Sequence, residues 1–148
     1  MKKFLSLVIL LTALLVGGCG GKSSMEIDNT AKPNTVTITA ENAENGGGVG
    51  YLKINDGEAI QVDAKITSGK LLLKIREKKL VFEDKPDKSS VDKSDVIKFQ
   101  NAFVNLTPHV IDKSGKSFID VPPDEYVILI DSEDGLTGEI ILSAAPKK

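Results

Sequence analysis

Two kinds of apolar pattern divide the chain. Residues 4–16 are apolar almost without interruption, directly after Lys2 and Lys3. From Val36 onward the pattern changes to alternation: Val36, Ile38 and Ala40 are apolar, and Thr37 and Thr39 between them are polar. A period of two with β-branched residues is the pattern of a strand with one solvated face. Successive short strands are predicted at 36–40, 49–54, 58–66, 71–76, 80–82, 96–106, 117–121, 126–130 and 137–144. In the third, Ile60, Val62, Ala64 and Ile66 face one way and Gln61, Asp63 and Lys65 the other, as in a half-solvated sheet. Leu71-Leu72-Leu73 and 126–130 are apolar in both parities, which predicts cover on both faces. Within 96–106 the apolar parity changes between Phe103 and Val104, so a bulge or bend is expected near Asn101.

Turn chemistry separates these runs. Asn55-Asp56-Gly57 is a hairpin signal, because glycine accepts the positive φ such turns require. Ser68-Gly69, Glu77-Lys78-Lys79, Ser114-Gly115 and Ser132-Glu133-Asp134-Gly135 read as further turns, Thr107-Pro108 as a strand end, and Pro122-Pro123-Asp124 as a stiff corner. Gly138, inside the closing strand, marks a bulge or a close backbone approach. With no amphipathic helix after the apolar leader, the elements define an all-β fold, an antiparallel β-sandwich (Ig-like or jelly-roll-like) of about eight strands, with a barrel as the alternative. The expected core is Ile38, Ile60, Val62, Leu71, Leu73, Ile75, Phe99, Phe103, Val127, Ile128, Leu129 and Ile140.

The leader has its own logic. A basic start, a short apolar segment and small residues form a secretory signal, and 4–16 falls short of the ~20 residues a bilayer core requires. Val16-Gly17-Gly18-Cys19 resembles the lipobox of bacterial lipoproteins. The resemblance implies that Val16, Gly17 and Gly18 are read by the signal peptidase, that 1–18 is removed, and that Cys19 carries a diacylglycerol. Two acyl chains anchor stably where one does not. The protein is then expected on the extracytoplasmic side of a bacterial envelope membrane. Gly20 stands where an aspartate would retain it at an inner membrane, so an outer membrane stays open if the host has one. Residues 19–34, rich in glycine and polar residues, are expected to be the lipidated cysteine and a flexible tether; the β-sandwich domain is expected over 35–146. The stretch from Val121 to Leu129 also resembles the proline corner and tyrosine-bearing penultimate strand of exported bacterial β-sandwiches, with Asp124 in the usual place of glycine.

Composition narrows the function classes. At 148 residues with one cysteine, the chain supports a single domain without a disulfide. The formal net charge of −2 becomes more negative when Lys2 and Lys3 leave, and interspersed signs exclude a nucleic-acid stripe. Aromatics are 5% with no Trp, which leaves Tyr51 and Tyr126 as the stacking candidates. Gly46-Gly47-Gly48 lacks the Lys-Ser/Thr of a phosphate loop. Asp84, Asp87, Asp92 and Asp95 are interleaved with lysines and match no calcium loop. His109, the single histidine, cannot build a His-rich metal site, and an edge or loop position is expected for it.

These readings favour a membrane-anchored binding module, its site on loops 41–48, 83–95 and 131–136 and its ligand an envelope or extracellular molecule such as a glycan. A structural or accessory subunit of an envelope protein complex is the alternative. A hydrolase using Asp131 and Asp134 ranks third. No catalytic residue, metal or cofactor is expected beyond the covalent lipid on Cys19, and the expected partners are membrane lipid and an envelope protein or glycan.

Overall fold

A computed structural model describes residues 23–81 and 101–148. The expected leader with Val16, Gly17 and Gly18, the expected lipidation position Cys19, Phe99 and loop 83–95 lie outside the described residues. Seven strands, β1 (Ser24–Asp28), β2 (Thr35–Ala43), β3 (Gly47–Ile54), β4 (Glu58–Glu77), β5 (His109–Ile111), β6 (Gly115–Ile119) and β7 (Asp124–Pro146), form one antiparallel sheet, and a short helix α1 (Lys78–Val81) follows β4. The all-β antiparallel expectation therefore holds.

The layers arise differently from two sheets laid face to face. β4 and β7 are single strands of 20 and 23 residues that pair along most of their length, from Glu58↔Pro146 to Glu77↔Tyr126. β2 pairs with the second half of β7 and β3 with its first half; β6 and β5 divide β4 in the same way. Each row thus crosses the molecule, bends midway and returns over its own sheet. The two halves enclose one core containing Val36, Ile38, Leu52, Ile54, Ile60, Val62, Leu71, Leu73, Ile128, Ile130, Leu136, Ile140 and Leu142. Each such side chain contributes about 1.5–3 kcal/mol on burial.

The bend has a chemical cause. Left-handed φ values cluster where the rows turn: Asn42 (47°) near the end of β2, Asn45 (54°) between β2 and β3, Gly69 (72°) in β4, Asp134 (58°) and Gly135 (66°) in β7. Serine and threonine hydroxyls take over where the ladder is interrupted. The Ser132 hydroxyl accepts from the Gly46 amide at 2.9 Å, Thr137 Oγ1 accepts from the Asn42 amide at 2.9 Å, and Ser68 donates to the Gly135 carbonyl at 2.9 Å. Ser114 Oγ both accepts from and donates to the Ile66 main chain. Ser132 is the single buried polar residue among those described. At Gly138 a Cβ would fall on the Lys65 carbonyl oxygen, the close approach expected from its position in the strand.

Several sequence expectations are corrected. Ser68-Gly69 and Ser132 to Gly135 are bends within β4 and β7 rather than turns, so two pairs of predicted strands fuse. Asn55-Asp56-Gly57 is a turn, but it joins β3 to β4, which do not pair with one another; it carries the chain from one half of the sheet to the other. Leu80 and Val81 belong to α1 instead of a strand. Residues 101–103 are helical, so the predicted strand 96–106 is absent from its described part, although Phe103 is buried as expected. The expected tether contains a strand: β1 pairs with β2 from Ser24↔Glu41 to Asp28↔Thr37. Its alternation is legible once located, since Met25 and Ile27 pack on the core and lie against Gly46 and Gly48 of the neighbouring row.

Of the expected core, Ile38, Ile60, Val62, Leu71, Leu73, Phe103, Val127, Ile128 and Ile140 are buried, whereas Ile75 and Leu129 are partly buried. The first half of β7 is covered on both faces, as its double apolar parity requires. Val127 packs with Val81 and Phe103 in a second cluster on the outer face.

Candidate functional site

The rows leave the bend at one end of the molecule and meet a seam at the other. Turn 55–57 and the corner at 120–123 cross between the halves at the seam, and the β1–β2 connection, which stays within one half, reaches across it with side chains to β3. That connection is built by Asp28, whose carboxylate accepts from the amides of Thr30 (2.7 Å) and Ala31 (3.1 Å) and from the Thr30 hydroxyl (2.9 Å). The Thr30 amide, first among these donors, holds the Asp28 pKa below its ordinary value.

The turn aims two amide side chains at the outer edge of β3. Asn29 accepts from the Tyr51 amide at 2.6 Å and donates to the Tyr51 carbonyl at 3.1 Å. Asn34 repeats the arrangement two residues on, accepting from Lys53 N–H and donating to Lys53 C=O, both at 2.7 Å. Together they act as a substitute strand, satisfying edge groups that would otherwise invite pairing by another chain.

With its backbone held, β3 presents Tyr51 and Lys53 on its outer face, and the Tyr51 side chain is 46% exposed. They border an open groove of about 510 Å³ lined also by Asn29, Asn34, Asn55, Lys78, Glu125 and Tyr126. Across the floor, Lys53 is in register with Glu125, which in turn accepts from Lys78 Nζ at 3.1 Å. Beside them Lys79 bridges Asp124 (2.7 Å) and Glu77 (3.1 Å). The hydrogen bond between Lys79 and Asp124 is the main cause of both their shifts, up for the ammonium and down for the carboxyl. Tyr126 faces inward at 4% exposure and donates to the Pro122 carbonyl at 2.6 Å, which ties the corner to the start of β7. Burial raises its phenol pKa, and the nearby Glu77 carboxylate adds to the shift. The groove therefore offers an aromatic face, amide groups and two ammonium groups around one carboxylate.

The other sequence candidates do not converge here. The described bend residues of 41–48 and 131–136 belong to strands or their junction rather than to open loops. Asp134 shares Lys70 with Glu133, at 3.2 and 3.1 Å. Asp131 sits apart, in register with Gly47 on the outer face; burial raises its pKa, opposed by Lys74 and reinforced by Glu133. Among the described residues, no group of three His, Cys, Asp or Glu side chains could hold a metal, and no helix is long and apolar enough to cross a membrane. His109 opens the edge strand β5 and is exposed, matching the expected edge position.

Sequence reasoning named Tyr51 but missed Asn29, Asn34, Lys53, Asn55, Lys78 and Glu125. The two asparagines look like ordinary solvated connection residues, and only their pairing with β3 gives them a role. Comparison with family models, curated proteins and solved structures finds no match.

Proposed function

We propose that the chain is an extracytoplasmic lipoprotein, anchored through diacylglycerol on Cys19, whose β domain binds an acidic envelope saccharide in the Tyr51 groove. The carrying observation is an exposed tyrosine ring on a backbone fixed by two amide clamps, with Lys53 and Lys78 beside it. A ring face packs against the C–H face of a sugar, amide and ammonium groups serve its hydroxyls and carboxylates, and a rigid frame lowers the ordering cost of binding. The role is binding, with no catalytic residue and no cofactor beyond the lipid.

The accessory-subunit reading rests on a different surface. Val110 and Phe118 are exposed at 50% and 40% on the edge row β5–β6, where a protein partner would cover them.

Thermal unfolding against a panel of peptidoglycan fragments and acidic glycans tests the first reading. A ligand at 100 times its Kd stabilises by about 2.7 kcal/mol. Tyr51→Ala should abolish that shift while leaving the unliganded transition nearly in place. A shift that survives Tyr51→Ala, or no shift with any saccharide, refutes the groove.

A further inference from the structure

We propose that the anchored domain stands on its bent end, with the saccharide groove turned away from the bilayer; this rests on the reading of Cys19 as the lipidated residue. β1 places its first residue, Ser24, beside Glu41, next to Asn42 and the positive-φ bend between β2 and β3. Its last residue, Asp28, leads directly to the connection that clamps Tyr51 and Lys53 at the groove. The one strand that continues toward the anchor thus runs from the bend to the seam.

The tether expected over 19–34 is much shorter than its composition implies, because β1 already occupies Ser24–Asp28. Only Gly20 to Ser23 separate the lipidated position from β1, and a fully extended chain spans at most about 3.5 Å per residue. Ser24 is therefore held within roughly 18 Å of Cys19. β3 runs from the bend to the groove, and at about 3.3 Å per residue its eight residues carry the seam roughly 25 Å further out. A body attached at one end by so short a leash is excluded from the half-space filled by lipid, so its free end points outward on average. At the bent end the exposed acids Glu41 and Glu44 oppose adsorption to an anionic headgroup surface, while Asp134 is paired with Lys70. A ligand reaching the groove approaches from the side opposite the membrane.

The test uses the full, lipidated chain in vesicles of phosphatidylcholine and phosphatidylglycerol. With Cys19 acylated, a thiol-reactive donor dye can be placed at Glu44→Cys (bend) or Asp56→Cys (seam), both exposed positions. Energy transfer to an acceptor on the lipid headgroups should be at least two-fold greater from the bend. Inserting twenty Gly/Ser residues after Ser23 should shrink the ratio toward one. Equal transfer from the two sites, or greater transfer from the seam, overturns the orientation while leaving anchoring intact. Failure of the wild-type chain to float with the vesicles overturns anchoring and, with it, the orientation. Flotation that is lost in Cys19→Ala supports the anchor on which the proposal rests.

Discussion

Gly57 and Gly69 form a matched pair for measuring what the bend requires. Both adopt left-handed φ, 81° and 72°. A Cβ at Gly57 would meet nothing within 4 Å, whereas at Gly69 it would fall on the backbone N and Cα of Leu136 and lie 2.8 Å from the Glu133 carbonyl oxygen. The left-handed conformation costs an L-residue about 1–2 kcal/mol, so Gly57→Ala should lose about 1 kcal/mol. Gly69→Ala carries the same strain and must also push β7 away from β4. Parting two ladder hydrogen bonds costs about 1 kcal/mol each, and partly withdrawing Leu136 from the core, where it is 0% exposed, costs up to about 2 more. The sum is roughly 4–5 kcal/mol, comparable with the whole stability of a marginal domain. Urea unfolding of residues 23–148, followed by far-ultraviolet circular dichroism, measures both variants. Equal midpoint losses would refute the idea that backbone proximity, rather than φ alone, fixes glycine at position 69.

Other consequences are smaller. Ser132→Ala leaves the Gly46 amide without its hydroxyl acceptor and should cost about 1–3 kcal/mol, read as a lowered melting temperature; an unchanged transition would show that the hydroxyl is dispensable. Asn29→Ala combined with Asn34→Ala uncovers main-chain groups of Tyr51 and Lys53 and should produce concentration-dependent self-association in sedimentation velocity, where the wild type stays at one size. Tyr126 has a raised pKa in the fold, so as pH climbs past the ordinary tyrosine range the unfolded chain loses its proton first and stability declines. Tyr126→Phe should flatten that alkaline decline and cost about 1 kcal/mol at neutral pH for the lost bond to Pro122; an unaltered pH profile would assign the decline to other groups. Asp28, with a lowered pKa, contributes stability that is full above the ordinary carboxyl range and fades as pH falls through it, so Asp28→Asn should reduce the acid sensitivity seen in pH-dependent unfolding.

How far the fold can be read in advance depends on whether its cause is local. The alternation of Val36, Ile38 and Ala40 is local, and those residues face the core as their spacing requires. The double parity of 126–130 is local too, and its two faces meet two different clusters. Ser68-Gly69 is different, because the same dipeptide serves a reversing turn and a bulge that lets the strand continue. Which one forms is decided by β7, distant in sequence, whose Glu133 and Thr137 pair with Lys70 and Ser68 on either side of the irregularity. The Asn55-Asp56-Gly57 signal likewise specifies a turn but not its destination. In the groove, Tyr51 announces itself as one of two tyrosines, while the clamping role of Asn29 and Asn34 exists only in the folded register. A polar side chain that replaces a strand leaves no periodic trace.

The placement of β1 also determines how the domain bears a mechanical load. On the proposed anchoring at Cys19 and binding in the groove, a pull between the two enters at Ser24 and is directed along the strand, because β1 runs the same way as the line from bend to seam. The hydrogen bonds from Ser24↔Glu41 to Asp28↔Thr37 then resist in shear, sharing the force in parallel instead of opening one after another like a zipper. Were the chain to enter from the Asp28 end, the same tension would peel β1 from β2 pair by pair. A short edge strand, the weakest kind of element by area, is therefore connected in the geometry that makes it hardest to tear away.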